Sequence, residues 1–150
     1  MRVLLQRVSR SSVKIDGKIK SSIGLGLLIL IGIEESDTIE DIEWLTGKIS
    51  RLRIFDDENH VMNLSIQDVK GEILVISQFT LHALVKKGNR PSYIKAAPPT
   101  VSIPLYEKFL SVMESISGLK IYSGEFGADM KVELLNDGPV TIFIDSKDKE

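Results

Sequence analysis

The chain has 150 residues, 43% of them hydrophobic, with 19 basic residues against 21 acidic ones and a formal net charge of -2. That is enough for one ordinary domain, residues 1–150, with a buried core, and it excludes a global positive field that would draw the protein to nucleic acid or membrane. The absence of cysteine excludes disulfides and thiol catalysis and fits a reducing compartment, with the cytoplasm as the default.

The opening MRVLLQRVSR lacks the charged, apolar and small-residue order of a signal peptide. Residues 3–8, 12–15 and 18–23 read as a β-meander, with Asp16-Gly17 as a two-residue hairpin turn. Leu25 to Ile33 is predicted to be a central strand buried on both faces. The apolar run around it is too short to cross a bilayer, so no membrane partner is expected. Asp37, with Glu40 three residues on, reads as a helix cap. Ile39, Ile42, Leu45 and Ile49 then share one stripe, which predicts an amphipathic helix over about 37–51. Two short strands flank Asp56-Asp57-Glu58-Asn59, and Gly71 opens a strand expected to run from Glu72 to Leu81. Residues 84–99 have no sustained period and read as a long ordered loop. From Pro104, a favourable first helical residue, Leu105, Phe109, Val112, Met113 and Ile116 form a second helical stripe that Gly118 ends. Residues 120–123, 130–135 and 140–144 return to strand, and 146–150 read as a solvated tail. The fold class is α+β: a curled antiparallel sheet or barrel with two main helices.

Chemistry is easier to exclude than to assign. With two histidines and no cysteine, a zinc site has no ligand spacing to draw on, so no metal and no cofactor is expected. The Asp56–Asn59 turn lacks the glycine and terminal acidic ligand of a calcium loop. Gly24, Gly26 and Gly32 do not make a dinucleotide fingerprint and read as bends in a curling strand.

Two segments break their own local pattern. Ser77-Gln78-Phe79-Thr80-Leu81 ends an apolar run in polar groups. On a strand, Gln78 and Thr80 share a face, where a buried amide and hydroxyl either satisfy neighbours or line a pocket. Thr80 as a nucleophile lacks an adjacent base, since His82 reads as a surface or loop histidine. Asn136-Asp137-Gly138-Pro139-Val140-Thr141 reads as a turn running into Pro139, with either isomer of the Gly-Pro bond open.

These two segments, with MRVLLQRVSRSSV at the start, KGNRPSY at 87–93 and FGADM at 126–130, resemble the D-aminoacyl-tRNA deacylase (D-tyrosyl-tRNA deacylase) family. The likeness runs from Met1 to about Ser146. This chain departs from the family at Leu84, where an acidic residue is frequent, and at Asn89, where arginine is. The resemblance implies a homodimer with active sites at the subunit interface. The implied reaction is hydrolysis of the ester joining a D-amino acid, or glycine, to the terminal adenosine of tRNA, with rejection of L-aminoacyl-tRNA. Carried over residue by residue, it assigns Ser77, Gln78, Phe79 and Thr80 to the catalytic segment, with backbone N–H groups as oxyanion donors. It assigns Gly138 and Pro139, through a cis bond, to chiral rejection in the partner subunit's site. Met130 falls beside the terminal adenosine, and Arg7 braces the Gly-Pro loop. The expected mechanism is attack by water on an ester held by backbone donors, assisted by the tRNA's own 2′-hydroxyl; a covalent Thr80 ester is the rival. Lys86, Lys87 and Arg90 form a compact basic cluster expected to meet tRNA phosphates. Two other functional classes stay open: a noncatalytic RNA-binding module, and a small-ester hydrolase with no RNA requirement.

Overall fold

A computed structural model describes residues 1–149. In chain order the strands and helices are β1 (Arg2–Ile15), β2 (Lys18–Ile23), β3 (Gly26–Gly32), α1 (Ile39–Arg51), β4 (Phe55–Asp56), β5 (Met62–Leu64), β6 (Glu72–Ser77), a 3-10 turn (Phe79–His82), α2 (Pro99–Ser117), β7 (Ile121–Ser123) and β8 (Lys131–Asp145). The main sheet runs β2-β1-β3-β6-β7, with β8 also paired to β1. It curls until Ser21 Oγ on β2 donates to the Ser123 carbonyl on β7 at 2.7 Å, almost closing on itself.

The sheet is mixed. β1 pairs antiparallel with β2, β3 and β8, but β3–β6 and β6–β7 are parallel. The expectation of a wholly antiparallel sheet is corrected at these two pairings, because α1 and α2 sit in the connections that return the chain to the same end. Leu27, Ile29 and Ile31 face the helices and Leu28 faces the inside of the curl, which makes β3 the doubly buried strand its composition predicts. Its glycines are less bends than close approaches: a Cβ on Gly26 would stand 1.8 Å from the Glu72 carbonyl oxygen.

Local corrections have local causes. Thr38 caps α1, its N–H donating to Asp41 Oδ2 at 2.8 Å; Asp37 is instead buried, bound to the Met1 ammonium and to the Glu34 N–H. Ile39 is therefore half exposed while Ile42, Leu45 and Ile49 are fully buried. α2 begins at Pro99, not at Pro104, which lies inside it. The bond Pro104 cannot make falls near the helix start, to the exposed Thr100, where water can serve the carbonyl. Tyr106, Phe109 and Met113 carry the buried stripe. The tail begins later than predicted, because Ser146 is buried, its N–H donating to the Met1 carbonyl; Glu150 lies outside the described residues. The two strands expected over 130–135 and 140–144 are one, β8 (Lys131–Asp145), and β6 stops at Ser77, four residues short of its expected end.

Candidate active site

A cavity of about 280 Å³ opens at the C-terminal ends of β3 and β6, at the switch from sheet to connecting loops. Ile31, Ile33 and Ile76 form its floor, Ser77, Gln78 and Phe79 one rim, and residues 126–130 the other. Phe126 is held by Tyr106, ring centres 5.8 Å apart, and Tyr106 is anchored by its hydroxyl donating to the Val75 carbonyl at 2.9 Å. The walls are thus mostly apolar with a few polar groups at one side, the usual make-up of a small-molecule pocket.

The first anomalous segment is not strand. Gln78 N–H still donates to the Ile31 carbonyl at 2.7 Å, as a strand residue would, and then the backbone turns into the 3-10 segment. Leu81 N–H donates to the Gln78 carbonyl and Ala83 N–H to the Thr80 carbonyl. Among the described residues, the N–H groups of Phe79 and Thr80 find no acceptor, since they are the leading donors of a short helical turn. Gln78 Nε2 donates to Thr80 Oγ1, so the two polar side chains satisfy each other. The Phe79 ring is more than half exposed and meets Tyr93 edge-on, centroids 5.0 Å apart. Nothing in the sequence announces the turn: Phe, Thr and Leu all suit strands. His82 corrects its reading outright, for it is fully buried, with neither ring nitrogen hydrogen-bonded.

The second anomalous segment is not a hairpin turn but an excursion from the middle of β8. Gln6 pairs with Thr141 and Val8 with Asn136, so two steps along β1 (8 - 6 = 2) face five along β8 (141 - 136 = 5). Residues 137–140 bulge outward opposite Arg7, and the Gly138-Pro139 bond is cis. Asn136, which the sequence reading passed over, closes the base of the bulge: its Nδ2 donates to the Arg7 carbonyl at 2.9 Å and the Val140 carbonyl at 3.0 Å. Its Oδ1 accepts from Thr141 Oγ1 at 3.2 Å. The Arg7 side chain, 6% exposed, lies beneath. Its Nη1 donates to the Ile54 carbonyl at 2.7 Å and reaches Asp56 at 3.2 Å. Its Nε stands 3.0 Å from Asp137 Oδ2, an ion pair out of line for a hydrogen bond.

Ser77, Gln78, Phe79 and Met130 therefore line the cavity, with Thr80 one residue behind its rim. Arg7, Gly138 and Pro139 do not. Ile31 at the cavity pairs with Val3, while Arg7 pairs with Leu27, which is four strand residues or roughly 13 Å away. Lys86, Lys87 and Arg90 are exposed on the loop after the 3-10 turn. A two-way backbone bridge clasps that loop, Leu84 N–H to the Ser92 carbonyl and Ser92 N–H to the Leu84 carbonyl. Among the described residues, no three His, Cys, Asp or Glu side chains converge as a metal site would need, and no helix is long and apolar enough to cross a membrane.

Residues 4–145 match the family model described as D-Tyr-tRNA(Tyr) deacylase. Curated relatives named D-aminoacyl-tRNA deacylase include one from Bacteroides fragilis, 67% identical, and one from Flavobacterium psychrophilum, 64% identical, each over all of both chains. Among solved structures, one titled c-Myc DNA Unwinding Element Binding Protein superposes with a TM-score of 0.90 at 40% identity, covering 97% of this chain and 98% of that one. A probable eukaryotic D-amino acid tRNA deacylase shares the fold at a TM-score of 0.82 and 18% identity, covering 95% and 97%. With all but the first two residues of the sheet, both helices and both anomalous segments inside the matched span, this chain belongs to the D-Tyr-tRNA(Tyr) deacylase family.

Proposed function

We propose that the protein hydrolyses the ester of D-aminoacyl-tRNA and of glycyl-tRNA, releasing the amino acid and tRNA, and that it rejects L-aminoacyl-tRNA. One observation carries the chemistry: the free N–H groups of Phe79 and Thr80 lie side by side in the turn that forms the cavity rim. Two fixed backbone donors suit the oxyanion that forms when water attacks an ester carbonyl, and removing one such donor typically costs 100- to 1,000-fold in rate, about 3 kcal/mol. No side-chain base stands beside Thr80, whose hydroxyl oxygen accepts from Gln78. This favours water, assisted by the substrate's own 2′-hydroxyl, over a covalent Thr80 ester, and the proposed route calls on no metal.

Chiral rejection rests on the bulge of β8. A pocket that accepts many D side chains cannot recognise any of them, and excludes the L arrangement by rigid atoms placed where that side chain would go. Gly138 and Pro139 are too far from their own chain's cavity to do this, so the reading requires a second copy whose bulge enters it. Leu4 offers a surface for such a homodimer: it pairs with Leu30 on one side and Phe143 on the other, and Phe143 is 53% exposed. Glycine carries no side chain to exclude, so its ester is cleaved. Met130 flanks the terminal adenosine, and Lys86, Lys87 and Arg90 meet tRNA phosphates. The same reading places the protein in the cytoplasm with its substrate.

Matched D- and L-aminoacyl-tRNA, glycyl-tRNA and a D-amino acid ester lacking RNA, each with and without chelator, test the proposal. Hydrolysis of only the D-aminoacyl- and glycyl-tRNA esters, unaffected by chelator, supports it. Equal cleavage of the L ester or of the RNA-free ester defeats it, and binding without turnover would make the chain a noncatalytic RNA-binding module.

A further inference from the structure

His82 closes the donor turn and is fully buried beneath it. Neither Nδ1 nor Nε2 has a hydrogen-bond partner. Such a group costs free energy to bury, and replacing it with an apolar side chain of similar shape is often neutral or stabilising. Its presence under the catalytic segment therefore calls for a reason other than stability. The ring fills the space between the turn and β3: a Cβ on Gly32 would lie 3.0 Å from His82 Cδ2, from the Leu81 Cβ and from the Gln78 carbonyl oxygen alike. The bare backbone of Gly32, the imidazole and the start of the donor turn are thus in one tight stack.

We propose that His82 is a positioning residue that holds the Phe79–Thr80 donors in their working geometry only while its ring is neutral, so that one buried protonation event turns the site off in acid. This rests on the reading of those N–H groups as the oxyanion donors. Every element packed around the ring contributes to the electrostatics. Burial, the largest influence, disfavours the charged ring. Next in size, the Gly32 backbone oxygen favours the protonated ring. From β1 the Arg2 guanidinium opposes protonation, Glu34 beyond β3 favours it, and the terminal ammonium of Met1 opposes it. The net direction is a midpoint below the ordinary histidine value. Arg2 is itself tied to the turn, its Nη1 donating to the Leu81 carbonyl at 3.1 Å while Nε pairs with Asp145 at 2.8 Å. A buried imidazolium would therefore face a fixed cation on the same few residues. Relief comes from opening the turn, which few backbone bonds hold. Above an ordinary midpoint of about 6.5 the ring is neutral whether folded or unfolded and pH has no purchase on it. Below that, the unfolded or opened form takes the proton first, and the closed turn loses stability as pH falls.

The test follows turnover of D-aminoacyl-tRNA by wild type and by His82→Leu across the acidic range, with ring and backbone NMR on wild type. Taking the ratio of the two kcat profiles cancels titration of the substrate's own amine. The variant is expected to be several-fold slower near neutrality, because the ring's shape is lost, with KM little changed. The wild-type to variant ratio then falls about tenfold by one pH unit below the ring's midpoint, and the 79–82 amides shift with that same midpoint. His82→Gln, equally unable to titrate, must give the same flattened profile and serves if the leucine variant does not fold. A ratio that stays flat, or a ring midpoint at or above about 6.5, overturns the proposal. Should wild type cleave no aminoacyl-tRNA at any pH, the functional reading fails, and NMR alone decides this inference. It then stands if the 79–82 amides titrate with the ring and falls if they do not.

Discussion

The two anomalous segments break the sheet in opposite ways. The 77–82 turn ends a strand and folds inward over a cavity, held by a handful of backbone bonds and a buried ring. The 136–141 excursion leaves a strand and rejoins it, pinned from beneath by Asn136 and Arg7. Both trade regular pairing for main-chain groups at fixed positions, but the first is free to open and the second is tied down. Donors for developing charge act only while held in place, so opening the first segment stops the chemistry, whereas the second segment's task of exclusion requires that it never yield.

Loosening the rigid member should have the larger effect. Arg7→Ala removes the cation under the bulge and leaves the Ile54 carbonyl without its donor. The expected outcome is a loss of about 2 kcal/mol in denaturant unfolding, together with D/L discrimination falling by about a hundredfold as residues 137–140 become free to move. Unchanged discrimination in a folded variant would break the comparison. Wedging the pliant member comes next. Gly32→Ala drives a methyl to within 3.0 Å of the Gln78 carbonyl oxygen, the Leu81 Cβ and the His82 ring. It should lower kcat about tenfold for a stability cost of about 1–2 kcal/mol, with discrimination intact. A loss of discrimination here would mean the turn also selects chirality.

Thr80→Ala sharpens the role of backbone within the turn. If the N–H groups do the chemistry, losing the hydroxyl that accepts from Gln78 costs no more than about tenfold in kcat. Complete loss, with a trappable acyl-enzyme, would restore the covalent route. The smallest effect is expected on the loop outside both segments. Replacing Lys86, Lys87 and Arg90 by alanine should leave kcat alone and lower the salt slope of tRNA binding by roughly 2–3 units. An unchanged slope would mean that these charges only solvate the loop.

The sequence carried the fold where hydrophobic period and turn chemistry agreed. β3 with its Leu/Ile run, the α1 stripe through Ile42, Leu45 and Ile49, and the Asp16-Gly17 hairpin are all present. It lost the fold where long-range packing decided. Nothing local distinguishes β6 and β7 as parallel neighbours, and Pro99 and Pro104 are equally good helix starters until Pro98 accepts the first bonds. In the site, the polar break after Ile76 was legible as a break, but the turn was not, because its residues favour strands. Asn136 passed for an ordinary turn residue, since its work depends on Arg7 and Val140 carbonyls that only pairing with β1 brings near. His82 was misplaced for the same reason: its two neighbours on either side, Leu81 and Ala83, give no sign that the ring points at Gly32.

The clasp between Leu84 and Ser92 has a consequence for engineering. It sets where the basic loop departs from the body and where it returns, so the residues from 85 to 91 are connected to the site only through a fixed doorway. That makes them an exchangeable cassette. Swapping this stretch between relatives should transplant affinity for particular tRNA bodies, while the turn, the bulge and the cavity remain as they are.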